Sequence, residues 1–147
     1  MTYQVNPLAI AHITEVGLSL DVSGFTSGDT VTLNTTTHSH TGSGRVSLSS
    51  NVVTLTAGTY IIYGAVAIDK TTVTDAYTVD FYDDATSTKL PISDGWMGSQ
   101  SAELYSSNSQ LLQAHLELTS SISFYLVSTG ASGTLKADGV YLMILEL

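Results

Sequence analysis

His38 and His40 stand two residues apart in the segment HSHTG, the one place in the chain with metal-ligand spacing. Alternate side chains of an extended strand share a face, so both imidazoles would point the same way. Three copies meeting at this segment would converge six ring nitrogens, a donor set for an octahedral transition-metal ion at a trimer axis. The competing reading is a solvated polar loop carrying two histidines; no other cofactor is implied. Asp80, Asp83 and Asp84, with Asp75 nearby, could supply the paired carboxylates of a glycosidase. The same residues suit a strand end closed by an Asp turn, which is the preferred reading. Trp96, Tyr82 and Tyr105 could present aromatic faces to a sugar, although a single Trp in a β sandwich more often packs inside or at an interface. No Gly-x-Ser-x-Gly elbow, phosphate loop or dinucleotide fingerprint occurs. No catalytic residue is assigned, and the chain reads as non-enzymatic.

Thirteen acidic residues face four basic ones, Arg45, Lys70, Lys89 and Lys136, for a net charge of −9. Nucleic acid is an unsuitable partner, because neutralising phosphates takes clustered Lys and Arg, and an anionic membrane surface is equally unsuitable. No apolar run approaches the ~20 residues of a membrane helix. Cysteine is absent, which removes disulfides and thiolate metal sites. The start, MTYQVNPL, lacks the basic segment of a secretion signal. These features predict a protein made in the cytoplasm, on which the Asn34-Thr-Thr36 sequon stays idle. Length alone predicts one domain with a substantial core.

The elements that must position these residues are strands. Short alternating segments at 30–34, 45–48, 51–55, 77–82, 112–118 and 122–127, with glycine- and serine-rich turns, give about eight to ten strands and a two-sheet sandwich. Residues 35–44 are expected to be a polar loop, 95–105 a strand around Trp96, and 106–109 a loop. Residues 1–16 are read as an N-terminal arm and 17–147 as a single domain. Tyr60, Ile62, Val66, Phe124 and Leu142 are the expected core.

Two strands are apolar on both faces. In residues 59–68, TYIIYGAVAI, the inner set Tyr60, Ile62, Gly64, Val66 and Ile68 is matched by an outer set of Ile61, Tyr63, Ala65 and Ala67. In residues 139–147, GVYLMILEL, Val140, Leu142, Ile144 and Glu146 oppose Tyr141, Met143, Leu145 and Leu147. An antiparallel sheet usually turns one polar face to water, and no helix is evident to cover a second face. The surplus apolar face predicts a subunit interface at Ile61, Tyr63, Tyr141, Met143 and Leu145.

Residues 55–64, LTAGTYIIYG, resemble the Gly-x-Tyr-x-Phe strand of the C1q and tumour-necrosis-factor-like jelly rolls, with Gly58, Tyr60 and Ile62 in the matching places. The later order is similar: an amphipathic strand at 112–118, a short aromatic strand at 122–127, and a closing strand with Gly139, Tyr141 and Leu142. The resemblance spans about residues 50–147 and implies an antiparallel jelly-roll sandwich that forms a homotrimer, with first and last strands near the three-fold axis. The acidic calcium cluster of some C1q-like domains has no counterpart, so calcium is not carried over. The HSHTG stretch is similar to His-x-His iron sites of trimeric phage fibres. A cupin site is set aside, since Gly44 and Arg45 stand where its glutamate would be needed.

Jelly rolls rich in Ser, Thr and Gly and free of cysteine resemble bacteriophage virion proteins. The resulting expectation is a trimeric capsid decoration (cement) protein on the capsid surface, stabilising the shell through contacts with capsid subunits. The alternatives are the receptor-binding tip of a tail fibre, taking a host-surface glycan through loops 35–44 and 93–110, and a free-standing carbohydrate-binding module.

Overall fold

The computed structural model describes residues 12–39, 44–72, 75–100 and 107–147. In chain order the strands are β1 (His12–Gly17), β2 (Val22–Phe25), β3 (Thr35–Ser39), β4 (Val46–Ser49), β5 (Val52–Leu55), β6 (Gly58–Lys70) and β7 (Thr78–Asp83). There follow β8 (Thr88–Lys89), β9 (Trp96–Met97), β10 (Ser99–Gln100), β11 (Ser107–Leu118), β12 (Ile122–Thr129), β13 (Gly133–Leu135) and β14 (Tyr141–Glu146). All strand pairing is antiparallel. Among the described residues the only helices are two three-residue 3-10 turns, Ile92–Asp94 and Ala137–Gly139.

The first sheet is organised around β6. One edge of β6 pairs with β11 along its length, Gly58 opposite Leu118 and Asp69 opposite Ser107. The other edge takes β14 at Tyr60–Ala65 and β13 at Ile68–Lys70, so the last two strands form one line interrupted by a turn. Beyond β14 lie β1 and then β3; β9 flanks β11, and β2 flanks β13. The second sheet runs β10, β7, β12, β5, β4, with β8 also on β7.

The core lies between the sheets and follows the period of two. Tyr60, Ile62, Val66, Phe124 and Leu142 are fully buried, as their alternation predicts. Tyr77 just before β7, Val79 and Phe81 on β7, and Leu112, Ala114 and Leu116 on β11 turn the same way. Gly64 is required rather than incidental. It faces Leu142 across the ladder, and a Cβ there would collide with the Leu142 side chain and stand 2.6 Å from the Tyr141 carbonyl oxygen.

Five expectations need correction. Residues 12–16 are not an arm: β1 is inserted between β14 and β3, with Val16 wholly buried, so the folded domain includes His12 onward. Residues 1–11 lie outside the described residues. The polar segment 35–39 is not a loop but edge strand β3; its Thr-rich sequence suits β geometry, while its polarity reflects exposure at the sheet edge. Residues 30–34 are not a regular strand. Thr30 makes a single bridge to Val127, the Val31 N–H donates to the Leu126 carbonyl, and the Leu33 N–H donates to Asn51 Oδ1, a side chain standing in for a ladder partner. Finally, β11 begins at Ser107, within the segment read as a loop, and of the strand expected over 95–105 the described part, residues 95–100, is broken into β9 and β10, residues 101–105 lying outside the described residues.

Candidate interaction surface

Residues directly opposed in an antiparallel pair share a face, so the register builds the outer surface of the β6 sheet row by row. One row runs Ile13, Leu145, Ile61, His115. The next runs Thr37, Glu15, Met143, Tyr63, Gln113, Met97. The third runs Thr35, Gly17, Tyr141, Ala65, Leu111. The five residues expected at an interface thus lie side by side on two adjacent strands. Ile61, Tyr141, Met143 and Leu145 are half-buried, and Tyr63 is 47 % exposed at the middle of the sheet. Neither 3-10 turn is long enough to cover this face.

The sequence reading missed three further members of the surface: Ile13, Met97 and Leu111. Leu111 was legible in principle. It is out of phase with Leu112, Ala114 and Leu116, so inward alternation of those residues places it outside, where it is 72 % exposed. Ala65 is buried although it faces outward, because Tyr141 and Leu111 flank it in the same row. Polar residues border the apolar centre, with Glu15 and Thr37 on the β1–β3 side and Gln113, His115 and Glu117 on the β11 side. An apolar centre within a polar rim is the anatomy of a protein interface.

The other candidate residues that lie among the described ones do not converge. Trp96 is no exposed platform: it is 3 % exposed, pairs with Ala114, and packs between the sheets with ring centroids 5.1 Å from Phe81 and 5.0 Å from Phe124. Burial of a large aromatic outweighs display here because β9 presents only its other residue, Met97, outward. Tyr82 lies on the outer face of the opposite sheet, stacked on Tyr125 at 5.8 Å. Tyr105 and His40 fall outside the described residues. His38 sits on β3 with Nδ1 3.1 Å from Thr14 Oγ1. Among the described residues no group of three His, Asp or Glu side chains could hold a metal ion. Asp80 pairs with Lys89 at 2.8 Å, and Asp83 accepts from the Ala85 N–H at 2.8 Å, so both carboxylates have structural partners.

The Gly58-x-Tyr60 segment acquires a physical meaning at one end of the sandwich. The Arg45 guanidinium lies where a Cβ of residue 58 would be, donates to the Ala57 carbonyl at 2.7 Å, and stands 5.3 Å from the Tyr60 ring centroid. Tyr60 in turn donates its hydroxyl proton to the Thr56 carbonyl at 3.0 Å. The glycine makes room for a cation stacked on the aromatic ring.

No protein-family model matches this sequence, and no curated protein matches it. Solved structures do. Murine APRIL at pH 8.0 superposes with a TM-score of 0.61 at 14 % identity, over 93 % of this chain and 99 % of that one. The Eiger TNF of S. frugiperda gives 0.63 at 11 % identity, over 93 % and 92 %. The globular domain of zebrafish complement 1qA gives 0.56 at 10 % identity, over 93 % and 95 %. Two antiparallel sheets, the order of their strands and these superpositions together show that the chain has the TNF/C1q-like jelly-roll fold.

Proposed function

We propose that this chain is a non-enzymatic assembly module that forms a homotrimer through the outer face of the β6 sheet, and that the trimer decorates a virion capsid. One observation carries the trimer: an apolar surface of Ile13, Ile61, Tyr63, Leu111, Tyr141, Met143 and Leu145 on adjacent strands, with no helix of the described chain over it. Covering three to five such side chains per subunit is worth roughly 1.5–3 kcal/mol each before the costs of ordering. The fold supports the same reading, since TNF/C1q-like jelly rolls typically associate in threes. A non-enzymatic role is supported by the structural partners of Asp80 and Asp83 and by the absence of any nucleophile motif.

The virion placement rests on composition: a Ser-, Thr- and Gly-rich, cysteine-free chain of net charge −9. On this reading the partners are capsid subunits, and the protein sits on the shell surface after synthesis in the host cytoplasm. The tail-fibre tip is the second reading, favoured by the aromatic pair Tyr82 and Tyr125 on the sheet opposite the assembly face.

Light scattering on the purified chain should report three copies per particle, and Tyr63→Glu should shift it to one copy while leaving the circular dichroism of a β protein. A wild-type monomer at micromolar concentration would overturn the trimer. Co-sedimentation with emptied capsids supports decoration, whereas binding only to host cells supports the fibre tip.

A further inference from the structure

Two turns, the segment along β12 and one aromatic ring enclose a shallow cleft of about 290 Å³ on the face of the sandwich away from the β6 sheet. Ser50, Asn51 and Val52 come from the β4–β5 turn, Asp84 and Ser87 from the β7–β8 turn, Thr30 from the segment along β12, and Tyr125 from β12 itself. The volume is below the range typical of drug-sized ligands and suits one small ring.

The backbone of this cleft is unusual. Ser50, Asn51 and Ser87 are the three non-glycine residues with positive φ among the described residues, at 50°, 69° and 53°, and all three line it. Ser50 and Asn51 form a two-residue hairpin turn, a position where Asn-Gly is the easy choice. Asn51 has a structural reason to be there, because its Oδ1 accepts from the Leu33 N–H at 3.1 Å. That bond leaves its amide N–H groups to donate elsewhere. Serine in the left-handed region at 50 and 87 makes no side-chain bond to the protein that would offset the backbone cost.

The polar groups are correspondingly unengaged. Among the described residues, no protein group bonds the Asp84 carboxylate, the Ser50 and Ser87 hydroxyls or the Tyr125 hydroxyl. The Tyr125 ring is held in place by Tyr82, with centroids 5.8 Å apart and planes inclined by 27°. The result is a fixed, half-exposed aromatic face with amide donors, a carboxylate acceptor and hydroxyls around it.

We propose that this cleft binds a single neutral hexopyranose residue, with its C–H face on Tyr125 and its hydroxyls bonded by Asn51, Asp84, Ser50 and Ser87. A pyranose is apolar on its ring faces and polar at its rim, which is the pattern the cleft complements. The Asp84 carboxylate and a net charge of −9 select against sialic acids and phosphosugars. The site lies on the opposite sheet from the assembly face, so it stays open when that face is covered.

Saturation-transfer NMR on the full chain, with galactose, glucose, mannose and N-acetylglucosamine at up to about 10 mM, tests this. At least one of these sugars should bind saturably, and N-acetylneuraminic acid should not. Tyr125→Ala and Asp84→Asn should each weaken binding by about tenfold or more. Asp84 sits on an exposed turn, so its variant tests the site even if Tyr125→Ala fails to fold. Tyr63→Glu, on the other sheet, should leave the sugar affinity per chain unchanged whether or not it alters assembly. Absence of binding by all four sugars, wild-type affinity in a folded Asp84→Asn variant, or equal binding of the sialic acid would overturn the proposal.

Discussion

Arg45, from β4's N-terminal edge in one sheet, faces Glu146 near the end of β14 in the other, with Nη1 and Oε2 4.0 Å apart. The carboxylate is almost wholly buried, with 3 % of its side chain exposed, while the guanidinium is one-third exposed. The pair joins the two sheets at the end of the sandwich where β5 turns into β6. An apposition of unequal burial has an unequal consequence: the buried member depends on the exposed one more than the reverse.

Arg45→Ala removes the cation that faces a buried carboxylate and the ring contact with Tyr60. It should destabilise the fold by about 1–3 kcal/mol. Replacing both residues, Arg45→Met with Glu146→Gln, should recover part of that loss. Urea denaturation of the single and double variants measures the difference; an unchanged midpoint in Arg45→Ala would show that the pair is ornamental.

Gly64→Ala places a methyl group against the backbone of β14, where the Tyr141 carbonyl has no freedom to move without breaking its ladder. Overpacking of this kind costs roughly 1–3 kcal/mol. Because β14 carries three of the outward apolar residues, the variant should also weaken self-association. Thermal unfolding and light scattering on the same sample report both effects, and wild-type values in each would contradict the close packing of β6 on β14.

Burial pushes the Tyr77 hydroxyl up to about 12, only partly offset by hydrogen bonding from the Ile68 backbone and the Gln110 side chain; the neutral phenol donates to the Val66 carbonyl at 3.1 Å. In the unfolded chain the phenol ionises near its usual value of 10. The folded state therefore holds the proton after the unfolded state has lost it. The resulting stability is fully present below pH 10 and is lost as pH rises between about 10 and 12. Tyr77→Phe should be less stable than wild type near neutrality by about 1 kcal/mol, through the lost hydrogen bond, and should lose less stability above pH 10. Parallel denaturation series at neutral and alkaline pH decide it: equal alkaline losses in the two proteins would remove Tyr77 as the cause.

Wherever alternation was strong, the chain announced its own structure. The phases of β6, β7, β11, β12 and β14 are local properties, because side chains two residues apart share a face in any extended strand. The expected core at Tyr60, Ile62, Val66, Phe124 and Leu142, and the surplus apolar face at Ile61, Tyr63, Tyr141, Met143 and Leu145, follow from that period alone. Gly58 and Gly64 were visible as glycines, yet their reasons, the Arg45 guanidinium and the β14 backbone, lie far away in the chain.

What the fold decided was adjacency. The TTTHS segment has no apolar phase, and it became strand β3 only because β1 offered a free edge. Trp96 could equally have faced solvent; pairing with Ala114 turned it into the space between Phe81 and Phe124. Asn51 bonds the Leu33 backbone and shares a cleft with Asp84 and Tyr125, residues that no local rule brings together. Periodicity along a strand is set by bond geometry and can be read from order alone. Neighbours across strands are set by which edges pair, and that choice belongs to the whole sheet.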